Sequence, residues 1–539
     1  MEGLADEAVR VLKDPAAHRP LGEAARRTIQ GKYSLDVSLP KIKSFFEDVA
    51  AKGRHGPSVL AERLVRPGTL EPVTHVPKRR HRARPWSEAR KVEPCWVPEV
   101  VCGEMPAAPF SRNTGFQPVS PLTKESVRHG VKTRDTRKTV LFCWELGAGL
   151  GHMLPMLPLA EGLAKDGHHV FVALRMLTTG AAEVFGRAGV SFLQAPLRTA
   201  NRRLPVRTHN LTDILCNVGW GSDDELFVLG CAWRNLMRQI RPDLVLFDYS
   251  PTAMLASRAL GDRVRRVVTG LGFFCPPDIS PFPSLVEGLD EKGLRRLEGV
   301  ERQVLGRANR LLRHWRCPEM DRLSQLYADA DETFLQTFAE LDHYGEHRPL
   351  GTEYYGPSGG GGGKPPVWPE GDGRRVYAYL KDFPGLEELL RVLAGRGDRT
   401  IVFADNIPAA KRRRMGDCTN IRFEDERLDL EAVGRECDLA VLNANHGTLC
   451  RLLLAGRPML LVPLTLEQSV LARRVCALGA GEVCPQGLGN GEVAREKIER
   501  LATDGAYRAA AADFARRHAF DRGELRREML DRVTALVGP

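Results

Sequence analysis

The feature that most limits what this chain can fold into is an alternation of short apolar strands and amphipathic helices that breaks off at five consecutive glycines and then starts again. Thr139–Trp144 reads as an apolar strand, followed by a glycine-rich turn and a helix from about His152 to Lys165. Met153, Met156, Leu157, Ala160 and Leu163 fall on one face of that helix, Pro155 is tolerated in a first turn, and Gly167 supplies the stop. Further strands are expected at His169–Leu174, Val190–Leu193, Leu244–Asp248 and Arg265–Thr269. After Gly359–Gly363 and Lys364-Pro365-Pro366 the alternation resumes. It gives strands at Val376–Leu380, Thr400–Ala404, Leu439–Leu442 and Met459–Val462. The helices between and after them are expected at Leu386–Leu393, Leu428–Arg435, Thr448–Ala455 and Leu466–Leu478. Strands that alternate with helices pair in parallel through right-handed crossovers, so the pattern predicts an α/β protein. Two Rossmann-like domains, 139–356 and 372–539, would be joined by a Gly/Pro linker at 357–371 and face each other across a cleft. The last helices, about Glu524–Val537, are expected to cross back. Ligands of such sheets sit at the carboxyl ends of the strands.

Charge separates the rest of the chain from this body. The net charge is +10, and the whole excess lies in 51–138, while 1–50 and 139–539 each balance. Residues 51–138 hold Lys78-Arg79-Arg80-His81-Arg82, scattered prolines and no periodicity. They read as a basic disordered linker after a helical fragment at 1–50, dispensable for activity. A charge run of this kind is usually solvated, so no specific nucleic acid is expected as a partner. The 12 cysteines form no C-x-x-C pair and several lie inside apolar runs, which argues for a reducing, cytoplasmic setting without disulfides or a zinc site. The N-terminus has no apolar signal region, and no apolar run approaches the ~20 residues of a transmembrane helix.

The first turn, Gly147-Ala-Gly149-Leu-Gly151-His152, is similar to a dinucleotide-binding turn. His152 replaces the third glycine, however, and the second strand ends at Arg175 with no acid for a ribose, so no NAD, FAD or other cofactor is expected. Asp329-Ala-Asp331 falls in an expected helix, where residues two apart do not face together, and no metal site is expected. A neutral imidazole such as that of His152 can accept a proton near neutral pH.

Taken whole, Gly151-His152-x-x-Pro155…Leu159-Ala160…Leu163-Ala164…Gly167-His168-x-Val170 resembles the opening signature of the family-1 glycosyltransferases, the UDP-glycosyltransferase superfamily. Asp438-x-x-Val441-x-Asn443-x-Asn445-His446-Gly447-Thr448 through Leu454-Ala455-Gly456, Pro463, Glu467-Gln468 and Gly479-Ala-Gly481 resembles that family's donor-binding half. The resemblance covers 139–539. It implies a GT-B fold and metal-independent, inverting transfer of a sugar from a nucleotide-diphosphate sugar to the hydroxyl of a small-molecule or lipid acceptor. It makes His152 the general base and Asp248, which ends its strand, the group that orients it. Gly447 and Thr448 would receive the diphosphate at a helix N-terminus, and Glu467 and Gln468 the sugar hydroxyls.

The sequence also departs from the family. The phosphate-binding histidine falls at Asn443, the glycines after it at Ala444 and Asn445, the ribose-binding glutamate at Arg451, and the W-x-P-Q segment has no counterpart. Either His446 takes over the phosphate contact with Lys381 or Arg451 adding charge, or the chain is a non-catalytic sugar-nucleotide or lipid binder on a degenerate GT-B scaffold. Gly272–Pro283, aromatic and proline-rich, reads either as the wall of an apolar acceptor pocket or as a packed surface loop. Leu21-Gly-Glu-Ala-Ala-Arg26-Arg27…Tyr33-Ser34…Pro40, within 1–50, resembles the C-terminal tail of a family-4 glycosyltransferase.

Overall fold

A computed structural model describes residues 137–538 apart from 148, 199–206, 359–361, 416–417, 488 and 520–521. The helical fragment at 1–50, nearly all of the basic linker at 51–138, the family-4-like tail and the first three residues of the glycine run lie outside the described residues.

Twelve strands form two parallel six-stranded sheets among the described residues. The first holds β1 (Thr139–Trp144), β2 (His169–Leu174), β3 (Ser191–Gln194), β4 (Leu244–Asp248), β5 (Arg265–Gly270) and β6 (Glu332–Leu335), in the order β3-β2-β1-β4-β5-β6. The second holds β7 (Arg375–Leu380), β8 (Arg399–Ala404), β9 (Ile421–Glu424), β10 (Leu439–Leu442), β11 (Met459–Leu461) and β12 (Gly481–Val483), in the order β12-β11-β10-β7-β8-β9. Each order reverses beside its first strand, at β1/β4 and at β7/β10, and such a reversal opens a crevice at the strand ends. The registers Trp144↔Asp248 and Leu442↔Tyr379 set the two strand ends level at each crevice.

The central strands are buried on both faces, as parallel sheets covered by helices require, which is why they read as continuous apolar runs. The strands that sequence reading passes over are β6, β9 and β12 (ETFL, IRFE and GEV), all at sheet edges. An edge strand buries less and therefore carries a weaker apolar signal.

Six helices matter below: α1 (Leu150–Lys165), α2 (Pro251–Ser257), α3 (Glu291–His314), α4 (His446–Leu454), α5 (Leu466–Ala477) and α6 (Arg522–Val537). The last of these returns to the first sheet. Met529, Val533 and Val537 join the buried cluster of Val140, Phe142, Trp144 and Met156. Leu530 covers Gly162 of α1 so closely that a Cβ there would lie 2.6 Å from its Cδ2. Arg532 pairs with Glu332 of β6 at 2.9 Å. Asp329-Ala-Asp331 is not helical. Asp329 follows the short helix Gln325–Ala328 and pairs with Arg258, while Asp331 precedes β6 and pairs with Arg265. The first carboxylate holds an arginine on the β4–β5 connection and the second the first residue of β5. No helix among the described residues is long and apolar enough to cross a membrane.

Candidate active site

At the first crevice, α1 begins two residues earlier than expected, because Gly149 at φ 85° turns the chain directly into it without a side-chain cap. His152 therefore lies in the first helical turn. Its Nδ1 is 3.0 Å from Oδ2 of Asp248, the last residue of β4, and both side chains are buried. Beside an ionised Asp248, Nδ1 carries the ring proton and Nε2 keeps its lone pair. Gly147, at φ 81°, lets the ring approach the turn closely: a Cβ there would fall 2.1 Å from Nε2. Leu146 N–H donates to the Tyr249 carbonyl at 3.0 Å and ties the two strand ends together.

The imidazole is framed by rings. Trp144 stacks on it with centroids 5.4 Å apart, Phe274 lies at 5.1 Å, and Tyr249 lies at 6.3 Å while stacking on Phe274 at 4.3 Å. Tyr249 sits at φ 45°, a left-handed conformation that is strained for an aromatic residue. Burial opposes charge on His152, but the charge and hydrogen bond of Asp248 outweigh it and hold the imidazole pKa above its ordinary value. Glu145, just past β1, is buried as well, and its carboxylate accepts from Thr252 N at 2.8 Å at the start of α2. Burial outweighs those hydrogen bonds and raises its pKa to about 7.

The loop 272–283 is packed. Phe273 and Phe274 are buried, and Glu301 of α3 accepts from Phe282 N at 2.7 Å and from Ser280 Oγ at 2.7 Å. It therefore forms the wall behind His152. A cavity of about 380 Å³ lies beyond it, lined by Cys275, Tyr327, Arg348 and others, and contains none of the expected site residues.

At the second crevice, Asn443 is fully buried and stitches the strand ends. Its Oδ1 accepts from Lys381 N at 2.7 Å and its Nδ2 donates to Val462 O at 2.9 Å. Ala444 turns at φ 58°, and α4 starts from Asn445 without a side-chain cap. Gly447 is exposed with open space beside it, and the Gly447 and Thr448 amides have no acceptor among the described residues. Gln468 is used within the protein: it accepts from Leu464 N at 2.7 Å and donates to Asn445 Oδ1 at 2.9 Å. Glu467, beside it at the start of α5, makes no carboxylate hydrogen bond or ion pair among the described residues. Burial raises its pKa, and the charges of His152, Asp248 and Lys381 all act on it, which brings the two crevices together. The Lys381 ammonium lies 3.5 Å from Asp405 and is partly exposed.

His446 bridges the two halves. Its Nε2 lies 2.9 Å from Thr337 Oγ1, just past β6, and 3.4 Å from Cys450 Sγ. Burial, with His343 nearby, lowers its pKa to about 3, so the ring is neutral and brings no charge to the crevice. His343 lies 3.2 Å from the Glu467 carbonyl, and Arg474 pairs with Glu346 at 2.7 Å. Sequence reading missed Glu145, Tyr249, His343 and Thr337. The first two carry one available signal, a polar or aromatic residue directly after an apolar strand; the other two carry none. Among the described residues no cluster of acidic, histidine and cysteine side chains could hold a metal ion.

No protein-family model and no curated protein matches the chain. Solved structures do. The glycosyltransferase of kitacinnamycin superposes with a TM-score of 0.54 at 17% identity, over 74% of this chain and 99% of that one. CalG4, the calicheamicin glycosyltransferase, gives 0.53 at 21%, over 75% and 98%. VinC, solved in complex with dTDP, gives 0.51 at 18%, over 74% and 99%. The fold is GT-B. In this GT-B protein the His152–Asp248 pair lies at the crevice of the first sheet, and Lys381, Gly447, Thr448 and Glu467 lie at the crevice of the second.

Proposed function

We propose that this protein transfers a sugar from a nucleotide-diphosphate sugar to an acceptor hydroxyl, with inversion and without a metal. The observation that carries the reading is the buried His152–Asp248 pair, 3.0 Å apart, with the unpaired Glu467 of the other sheet close enough for their charges to interact. Nε2 of His152 would take the acceptor proton, and Asp248 would stabilise the resulting imidazolium. The acceptor oxygen would attack the anomeric carbon on the face opposite the leaving diphosphate.

The dTDP held by VinC supports a nucleoside diphosphate as the donor's leaving group. Its charge would fall on the Gly447 and Thr448 amides and the dipole of α4, with Lys381 supplying the cation. His446 would close the two halves through Thr337 and offer its Nδ1 to the donor. Asn443 would hold the Lys381 strand end, Glu467 would meet the sugar, and Gln468, engaged with Leu464 and Asn445, would have only its second amide N–H left for it. The test is a thermal-shift screen with UDP-, dTDP- and GDP-sugars, followed by assay of released nucleoside diphosphate across an acceptor panel. Release that depends on acceptor is expected. Binding without release would select the non-catalytic reading.

A further inference from the structure

Arg175 directly follows β2, the strand next to β1, and so reaches the same strand-end surface as His152. Its backbone is fixed by Gln194, whose amide donates to the carbonyls of Leu174 at 3.1 Å and Arg175 at 2.9 Å. Its guanidinium is aimed back at β1, where Nη1 donates to the Glu145 carbonyl at 2.7 Å. It makes no ion pair among the described residues, and its other N–H groups have no partner there.

The nearby carboxylates are turned elsewhere, Glu145 toward the first amides of α2 and Asp248 toward His152. The positive charge is nevertheless felt by His152, Glu145 and Tyr249, which places it beside the candidate base. Three large apolar side chains are exposed on the loops that follow β2 and β3: Met176, Leu177 and Leu197, by 43%, 50% and 42%. Single exposed apolar residues are ordinary. Three of them on the loops that adjoin Arg175 and its Gln194 anchor offer apolar surface near one fixed, unpaired cation, and a guanidinium fork matches a carboxylate in shape and charge.

Resting on the glycosyltransferase reading, we infer that the acceptor is an apolar alcohol or phenol bearing a carboxylate, and that Arg175 binds this carboxylate while the hydroxyl is presented to His152.

Phloretic acid, a phenol with a propionate chain, and its methyl ester make a matched pair of probes, because only the first carries the charge. The wild-type protein should prefer the acid in kcat/KM by about 10- to 100-fold, the usual worth of a charge-assisted contact. Arg175→Gln should erase that preference by weakening use of the acid alone, with the KM for the nucleotide sugar unchanged. Arg175→Lys should keep part of it. Thermal shift provides a readout independent of turnover: the acid should stabilise the wild type and not Arg175→Gln. If the acid stabilises only the wild type but no acceptor is glycosylated, the transfer reading fails and the Arg175 site stands. Equal use of acid and ester by the wild type, equal losses for both in Arg175→Gln, or a raised donor KM in that variant would each overturn the inference.

Discussion

The two crevices are built on the same strand order and solved differently. The first is sealed: His152, Asp248 and Glu145 are buried, each is held by a named partner, and three rings close around the imidazole. The second is open. Its most deeply buried polar residue, Asn443, holds backbone together, while Lys381 and Gly447 face outward. The difference teaches how each would treat charge. A low-dielectric pocket shifts an imidazole pKa and keeps it oriented, which suits proton transfer. An exposed helix end with one lysine suits an anion that arrives and leaves.

The largest effect expected from this contrast is at the base. His152→Ala should lower acceptor-dependent nucleoside diphosphate release by ~10²–10⁴-fold. Donor binding, followed by thermal shift, should hardly change. If donor binding falls with the rate, the sealed crevice is not separate from the open one.

Gly147→Ala comes next. The new methyl would lie 2.1 Å from Nε2 at φ 81°, so the ring or the turn must move. Displacement of the base should cost on the order of 10²-fold in kcat, and the backbone about 1–3 kcal/mol of stability in urea melts. Gly447→Ala, at an exposed position with open space beside it, should be far milder.

Asp248→Asn should cut kcat by about 10- to 100-fold through loss of a charged hydrogen bond. It should also move the acidic limb of the kcat/KM profile to lower pH. The wild-type imidazole pKa is held above its ordinary value by Asp248, and the base works only when neutral. The stabilising effect of that interaction is fully present below the unfolded imidazole value of about 6.5 and is lost as pH rises through the raised one. In the asparagine variant this slope should disappear from urea titrations taken across that window.

The smallest effects belong to the open crevice. Lys381→Ala should weaken nucleotide-sugar binding about three- to tenfold, and less at high salt. Removing His446 should weaken it too, by loosening the Thr337 contact. Asn443→Ala should act mainly on stability, by about 1–3 kcal/mol, because it strands Lys381 N and Val462 O. A donor defect in Asn443→Ala as large as that in Lys381→Ala would reverse these roles.

The sequence by itself determined the alternation, the two sheets' central strands to within a residue or two, and the expectation that His152 and Asp248 act together. Burial on both sheet faces writes itself into apolar runs and helical periodicity, so these elements are legible locally. Edge strands such as Ile421–Glu424 are not, because half their surface needs no apolar residue. What only the tertiary structure decided are contacts between distant positions. The His152–Asp248 bond spans 96 residues, and the His446–Thr337 bond spans 109. The burial that goes with the second leaves His446 neutral and leaves Lys381 as a cation at that crevice. The close approach at Gly147, the stitching by Asn443 and the return of α6 onto the first sheet are of the same kind. Periodicity records that a side chain is buried; which partner it meets there depends on how layers far apart in sequence pack.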